Sequence, residues 1–203
     1  NISIDSLQPV RYAAITRGGQ LGDALAGLEA AFEAGFAPVK LNVVLKHGIE
    51  DDLDAFVDLS RERDLHVRFI EYMPLDRRHV TGDDFVSASL VLERLRARYE
   101  IEPSDGPYGH GPADYWRVRG ARGTLGFIAG VSEHFCAECN RLRLTADGRL
   151  KTCLFSGEEI DVRPLIAEPQ RLEAALVEAL QTKSFDRRVE RLPNRRCMSQ
   201  IGG

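Results

Sequence analysis

The amino-acid sequence predicts an α/β fold in which a set of parallel strands is followed by a small β-rich unit with a terminal helix. The first 73 residues alternate strand, helix, strand, helix and strand with short connections, which favours parallel strands joined by right-handed crossovers. The pattern changes after Pro74, where a Gly- and Pro-rich loop and several short strand segments occur. Three of the four cysteines then lie within residues 136–153, which is typical of a metal site in a small unit.

Hydrophobic periodicity justifies the elements of the first half. Leu21, Leu25 and Leu28 recur at helical spacing, and Gly35 lies where that helix should end. The run at residues 39–45 is rich in β-branched side chains and has the length of a strand. The predicted strands are 2–5, 39–45 and 66–73, and the predicted helices are 21–35 and 49–64.

Three parallel strands make a poor sheet by themselves, because parallel strands need neighbours on both edges and cover on both faces. We therefore expect further β/α units before Asn1, an exposed strand edge, and a chain that is poorly soluble or self-associating when isolated. Ligand-binding residues lie at the carboxyl ends of strands in such sheets. That rule points to residues 5–6, 45–47 and 71–73.

The second half predicts a helix that ends near Tyr99, a Gly- and Pro-rich loop, short strands and a final helix at about residues 171–182. Asp147 and Gly148 form a favoured turn between two strands, so a hairpin is expected there. The expected strands are 115–120, 124–131, 141–145 and 149–153. We place the domain boundary after residue 76, with 1–76 forming the β/α half and 77–203 the cysteine-bearing unit.

Composition limits the classes of function. The net charge is −4 and the isoelectric point is about 5.8, so no overall field attracts nucleic acid and any basic site must be local. Crowded cysteines in a chain of 203 residues do not resemble a secreted disulfide scaffold and are typical of metal binding in a reducing compartment. The sequence has no signal peptide and no long apolar run. A cytoplasmic protein without a membrane partner is expected.

The cysteines predict a metal site. Cys136 and Cys139 form a C-x-x-C motif, and Cys153 ends the return strand of the hairpin, which brings the third sulfur back toward the first two. Structural zinc needs four ligands, so His134 or Cys197 would have to complete the set. A four-iron cluster on three cysteines would instead keep one iron open. Spacing alone leaves both metals open and slightly favours zinc.

Two arginines beside the cysteines predict an anion site. Arg141 and Arg143 alternate with Leu142 and Leu144, so both guanidinium groups should project from one face while the leucines are buried. Paired guanidinium groups suit a phosphate or polyphosphate. The competing interpretation is a solvated polar face of an antiparallel hairpin. The adjacent metal site favours substrate binding.

Several segments together resemble one family. NISIDSL, TRGG, PVKLNVV, RFIEYMP, FCAECNRLRLTADGRLKTCLF and the terminal GG are similar to the C-terminal part of the GTP 3′,8-cyclase family. These are radical S-adenosylmethionine (SAM) enzymes of molybdenum cofactor biosynthesis. The resemblance covers Asn1 to Gly203, and the C-x-x-C-N-R-L-R-L-T-x-D-G segment is its most specific part. It implies the second half of a radical SAM β/α barrel followed by a cluster-binding domain.

The resemblance also implies an activity and its residues. The family converts GTP to (8S)-3′,8-cyclo-7,8-dihydroguanosine 5′-triphosphate through a 5′-deoxyadenosyl radical. Cys136, Cys139 and Cys153 would hold an auxiliary [4Fe–4S] cluster. Lys40, Arg68, Arg141, Leu142 and Arg143 would contact GTP, Ser3 and Met73 would contact SAM, and Gly202 and Gly203 would act as a tail that reaches the active site. GTP and SAM are thus the implied partners, nucleic acid is not, and a homodimer is compatible with the resemblance.

Residue chemistry supports only part of this set. A triphosphate needs several cations, which Lys40, Arg68, Arg141 and Arg143 supply. A lone Met at a strand end is more often packed in a core, and Ser3 and Lys40 would also suit a plain strand surface.

The chain departs from the family in one respect. The first cluster of the family, which binds SAM, uses a C-x-x-x-C-x-x-C motif that these 203 residues lack; their one remaining cysteine is Cys197. We therefore expect a piece of a longer protein that is inactive alone, with SAM and the second [4Fe–4S] cluster belonging to the full-length protein. The alternatives are a zinc-knuckle module that binds nucleic acid or a nucleotide, and another radical SAM enzyme with a different substrate. The low isoelectric point and the lack of aromatic residues near Arg141 weigh against the zinc module.

Overall fold

A computed structural model of the protein consists of two compact units. The first comprises Asn1–Met73 and Thr81–Glu133, and the second comprises Pro74–Val80 and His134–Gly203. The structure describes residues 1–74, 85–107, 111–133, 136–183 and 196–201.

The elements alternate in the first unit and are shorter in the second. The strands are β1 (Ile2–Ser3), β2 (Val39–Leu45), β3 (Leu65–Glu71), β4 (Ile101–Pro103), β5 (Asp114–Val118), β6 (Thr124–Ile128), β7 (Arg143–Leu144), β8 (Arg149–Lys151) and β9 (Ile160–Asp161). The helices are α1 (Pro9–Thr16), α2 (Leu21–Glu33), α3 (Leu53–Glu62), α4 (Ala88–Arg96), α5 (Pro169–Gln181) and α6 (Met198–Ile201). No helix in the described ranges is both long and apolar enough to cross a membrane.

The first unit is built on a mixed sheet of six strands in the order β1-β2-β3-β6-β5-β4. Strands β1, β2, β3 and β6 are parallel, and β5 and β4 continue the sheet in antiparallel pairing. The predicted parallel pairing of the first three strands and the mixed α/β class are therefore confirmed. Strand β1 lies at one edge and, among the described strands, pairs only with β2.

Burial follows the predicted patterns in this unit. Along β2 the odd-numbered residues are buried and the even-numbered ones are half-buried, as expected for a strand whose side chains alternate between faces. One face of α3 is buried at helical spacing, namely Leu53, Phe56, Val57 and Ser60. Phe56 meets Phe69 edge-on at 6.0 Å between ring centroids, and Phe69 stacks on Phe127 at 5.5 Å. Burying a side chain of this size contributes about 1.5–3 kcal/mol, so these rings fix α3, β3 and β6 together.

The placement of two strand segments differs from the prediction. β5 and β6 were expected in the cysteine-bearing unit, but β6 pairs in parallel with β3, from His66↔Thr124 to Ile70↔Ile128. All five residues of β6 are buried, which is the pattern of a central strand covered on both faces. Gly123 permits the approach, because a Cβ there would lie 2.0 Å from the Leu65 carbonyl oxygen. The division between units therefore differs from the expected boundary after residue 76.

The second unit contains the predicted hairpin and terminal helix. β7, β8 and β9 form an antiparallel sheet with Arg143 opposite Lys151 and Leu144 opposite Leu150. Gly148 closes the hairpin turn with a φ of 75°, a conformation that favours glycine. α5 packs on the small core of this unit, which consists of Leu150, Val162 and Ala179 with Leu142, Ile160, Leu172 and Leu176 around it.

Candidate functional site

The first unit gathers polar side chains on one face of its sheet, which we call the polar face. Paired residues on neighbouring strands share a face. Two rows of paired residues cross the strands on this face. One row is Lys40↔His66↔Thr124, and the other is Asn42↔Arg68↔Gly126↔Tyr115. The polar face therefore consists of Lys40, Asn42, His66, Arg68, Tyr115 and Thr124.

Neutral groups orient Arg68 within the polar face. Its Nε donates to Asn42 Oδ1 at 2.8 Å, and Nη2 donates to Asn1 Oδ1 at 2.7 Å. Burial raises the pKa of the neighbouring Tyr115, and the positive charge of Arg68 opposes that effect. The absence of a side chain at Gly126 leaves space for Tyr115 and Arg68, because a Cβ there would lie 2.9 Å from Tyr115 Cε1 and 3.1 Å from Arg68 Cγ. The guanidinium is thus held in place by neutral groups, and no carboxylate of the described residues pairs with its charge.

Lys40 adds a second cation to this face. Burial, followed by the nearby charge of Arg68, lowers the pKa of Lys40. Within the described part of the chain, neither Lys40 nor Arg68 forms an ion pair with a carboxylate. Two cations held close together without an acidic partner favour an anionic ligand, because that ligand would relieve their repulsion.

His66 contributes a neutral donor or acceptor to the polar face. Burial is the main cause that lowers the pKa of His66, and the positive charges of Lys40, Arg117 and Arg68 lower it further against the opposing effect of Asp64. Its Nδ1 lies 2.8 Å from Thr124 Oγ1, and the two are hydrogen-bonded. The imidazole is therefore neutral at pH 7 and adds no charge to that of the two cations.

The lowered pKa of His66 gives a testable pH dependence of stability. The unfolded chain takes up a proton on His66 at a higher pH than the folded chain, so the stabilising contribution is present above about pH 6.5 and is lost as the pH falls below that value. We expect the free energy of unfolding to fall more between pH 7 and pH 5 in the natural protein than in His66→Gln. Denaturant titrations at several pH values measure the difference. Equal slopes for the two proteins would contradict the neutral assignment.

Ser3 and Met73 lie at or near the carboxyl ends of parallel strands. Ser3 is exposed in β1 and is paired with Asn42. Met73 follows β3 and packs beside Gly130, where an added Cβ would lie 2.3 Å from its Cε atom. Both are in positions that suit a ligand at this edge, and their contact with SAM stays a prediction.

The acidic residues at the same strand ends have structural partners. Glu71 is 1% exposed and accepts hydrogen bonds from the backbone amides of Ala88, Val131 and Ser132. Asp5 accepts from the Val44 amide at 2.9 Å, and burial is the main cause that raises its pKa. These carboxylates hold loops around the edge of the sheet.

In the second unit, the C-x-x-C motif forms a tight turn. The Cys139 amide donates to the Cys136 carbonyl at 3.2 Å across a 3-10 turn. These two residues and Cys153 are half-buried, Cys197 is exposed, and none of the four cysteines is in a disulfide bond. Across the described ranges, no group of three His, Cys, Asp or Glu side chains is arranged to hold a metal ion. His134 lies outside the described residues, and the convergence of the three sulfurs stays a prediction.

A buried lysine that the sequence did not single out contacts the motif. Lys183 is 5% exposed, and its Nζ donates to Cys139 Sγ at 3.3 Å and to the Arg141 carbonyl at 2.7 Å. A buried ammonium group is costly unless a negative charge accompanies it. A thiolate at position 139 would supply that charge. The cysteine thiols and the adjacent Lys183 ammonium therefore fit, by their chemistry, a metal or cluster that is bound through anionic sulfur.

Both basic residues of β8 lie near a carboxylate. Lys151 is fully buried and lies 3.5 Å from Glu159 Oε1, and Arg149 lies 3.5 Å from Asp161 Oδ2. Arg141 and Arg143 are both half-buried, and Arg143 is directly opposite Lys151. Carboxylates of this unit thus contact the cations of β8.

The leucines of this segment have different environments. Leu142 packs against the core of the second unit, as predicted. Leu144 is 60% exposed, so the prediction that it is buried is wrong. β7 has two residues and ends at Leu144, and the core under α5 includes Leu142 but not Leu144.

A second feature that the sequence did not predict fixes the tail. Arg196 Nη2 donates to Asp147 Oδ2 at 2.8 Å and to Glu159 Oε2 at 2.7 Å. These contacts hold the pKa of Asp147 well below its usual range and lower that of Glu159. Ile201 is fully buried in the following α6. Gly202 and Gly203 lie outside the described residues, and their role stays a prediction.

Comparison with known proteins supports the resemblance. A protein named GTP 3′,8-cyclase from Listeria monocytogenes serotype 4b is 42% identical over all of this chain. Proteins of the same name from Pelotomaculum thermopropionicum and a Mycobacterium species are 44% and 43% identical, again over all of this chain. The chain spans 60–65% of the length of these curated relatives. The profile of one protein family matches residues 65–189, more than half of the sequence. The chain therefore belongs to the Molybdenum Cofactor Synthesis C family.

Proposed function

We propose that this chain supplies the GTP-binding residues and the auxiliary cluster site of a GTP 3′,8-cyclase in molybdenum cofactor biosynthesis. In this proposal the first unit is the second half of a radical SAM β/α barrel. The observation that carries the proposal is the pair of cations on the polar face, Lys40 and Arg68, which have no carboxylate partner in the described chain. The names of the similar proteins identify GTP as the anion to test.

The proposed substrate contacts are those that the resemblance implies. Lys40 and Arg68 bind oxygen atoms of the triphosphate, because an ammonium and a guanidinium group are the side chains best suited to phosphate. Arg141, Leu142 and Arg143 are proposed to contact GTP, as the resemblance implies. The orientation of Arg68 is set in advance by Asn42 and Asn1, so little conformational entropy is lost when the nucleotide binds.

The proposed cofactor contacts are likewise those that the resemblance implies. Cys136, Cys139 and Cys153 hold an auxiliary [4Fe–4S] cluster, which supplies an open iron that anchors the guanine base. Ser3 and Met73 contact SAM at the carboxyl ends of the strands, and Gly202 and Gly203 extend toward the substrate. No C-x-x-x-C-x-x-C motif occurs in the 203 residues. The cluster that cleaves SAM must therefore come from residues outside them, and the chain alone is expected to be inactive.

In the proposed full-length enzyme the products would be the cyclised nucleotide, 5′-deoxyadenosine and methionine, and an external reductant would supply the two electrons that the reaction consumes. This chain's own residues bind the triphosphate, orient the ribose and base, and shield the substrate from water. Shielding matters because a carbon-centred radical at C3′ reacts with other hydrogen donors before it closes onto C8 if the substrate is mobile.

Anaerobic reconstitution with iron and sulfide tests the cluster proposal. We expect the protein to become brown and to bind about four iron and four sulfide ions, as a [4Fe–4S] cluster requires. Cys136→Ser should lose most of the bound iron, because a serine oxygen is a poor ligand for such a cluster. Cys197→Ser is the matched control, since it removes an exposed thiol, and it should keep full iron content. A colourless protein that binds zinc and no iron would support the zinc-knuckle alternative instead.

A further inference from the structure

Lys183 occupies an unusual position for a lysine. It follows α5 by two residues and is 5% exposed. α5 is anchored by Ala179, which is fully buried against Leu150 and Val162 of the small core. Because α5 is packed in this way, the residues that follow it lie next to the C-x-x-C turn, and the Lys183 ammonium contacts Cys139.

The Lys183 ammonium donates hydrogen bonds to two groups of the described chain. Its Nζ contacts a backbone carbonyl and a cysteine sulfur, and no carboxylate of the described chain pairs with it. Lys151, the other buried lysine of this unit, lies 3.5 Å from Glu159. Since a buried cation requires a compensating charge, the two lysines differ in where that charge comes from. Of the two hydrogen-bond partners that Lys183 has among the described residues, the Cys139 sulfur is the one that can carry a negative charge.

We propose that Lys183 is a positioning residue for the metal-bound sulfur of Cys139, an inference that rests on the cluster site proposed above. A metal ligand of this kind is an anionic thiolate, and the Lys183 ammonium donates a hydrogen bond to it. The same ammonium holds the Arg141 carbonyl at 2.7 Å. One cation therefore fixes the sulfur ligand and the backbone that carries the adjacent substrate-binding arginine.

Two physical consequences follow from this contact. A hydrogen bond from a cation withdraws electron density from a ligating sulfur, which stabilises the reduced form of an iron–sulfur cluster and raises its reduction potential. The same bond restricts the orientation of the sulfur before the metal binds. Removing a partner of this type commonly lowers metal affinity about 10- to 100-fold.

Three substitutions separate charge from hydrogen bonding and from packing. Lys183→Arg keeps both the charge and the donors, Lys183→Gln keeps a donor without the charge, and Lys183→Met keeps only the length of the side chain. Co²⁺ is the probe, because its thiolate complexes absorb strongly and report affinity directly. All variants carry Cys197→Ser, so that the exposed thiol does not contribute.

We expect Lys183→Met to bind Co²⁺ about 10- to 100-fold more weakly, Lys183→Gln to be intermediate, and Lys183→Arg to be close to the parent. After reconstitution with iron and sulfide, the cluster potential should be lower in the Met and Gln variants than in the Arg variant. Arg171→Met is the control, since it removes an exposed cation from α5 that pairs with Glu168. It should leave affinity and potential unchanged.

The outcomes distinguish this inference from the proposed function. A parent protein that binds neither Co²⁺ nor iron would overturn the cluster site, and the role of Lys183 with it. A parent that binds both, with equal affinity and potential in all three variants, would overturn the role of Lys183 alone. Thermal melts accompany each titration, and if the Met variant does not fold, the comparison of the Gln and Arg variants decides.

Discussion

Replacing Arg68 with Met is expected to lower the affinity for GTP about ten- to a hundredfold in the full-length protein. A hydrogen bond to a charged group contributes about 1.5–3 kcal/mol, and each 1.4 kcal/mol corresponds to about a tenfold change in the dissociation constant. Asn42 and Asn1 hold the guanidinium in place. Its loss therefore removes an oriented contact and not merely a surface charge.

A titration of GTP against both forms of the protein measures this effect. Arg63→Met is the matched control, because Arg63 belongs to the same unit and pairs with Glu29 on the surface. Both substitutions remove one positive charge, so a difference between them reports position. Thermal melts show whether the sheet is intact. If Arg68→Met bound GTP as tightly as Arg63→Met, the polar face would not be a nucleotide site.

The parallel part of the fold could be predicted because its pattern is local. Strand β2 alternates buried and half-buried residues, and α3 buries the four residues that the helical period selects. The position of β6 could not be predicted in the same way. Its run of apolar residues indicates a buried strand, but the choice of β3 as partner depends on contacts between residues almost 60 positions apart, such as His66 and Thr124.

The candidate site likewise contains features that depend on sequence neighbours and features that depend on distant contacts. The hairpin was predicted because it depends on neighbours in sequence, and the C-x-x-C motif was identified from its spacing. Lys183 was not, because a single lysine after a helix carries no local signal and meets Cys139 across 44 positions. The pairing of Arg196 with Asp147 spans 49 positions. Sequence patterns thus identified the chemical groups, and tertiary contacts determined which charges accompany them.

The role of the hairpin arginines depends on what each guanidinium group contacts. A strand pattern of alternating arginine and leucine is as common on solvated surfaces as in binding sites. On β8, Glu159 lies near Lys151 and Asp161 lies near Arg149. The hairpin therefore offers its own internal comparison between a cation with a known carboxylate partner and the two cations proposed to bind substrate.

Arg141→Ala and Arg143→Ala are each expected to weaken GTP binding about ten- to a hundredfold, because each removes a charge-assisted hydrogen bond of about 1.5–3 kcal/mol. Arg149→Ala provides the matched control: it removes the same side chain from the same hairpin, but its charge is already paired with Asp161. Its GTP affinity should remain close to that of the natural protein. Iron content should be unchanged in all three variants, since none of these side chains is a thiol. Equal affinity in the three variants would mean that the arginines form a solvated face, and the substrate role would then be limited to the first unit.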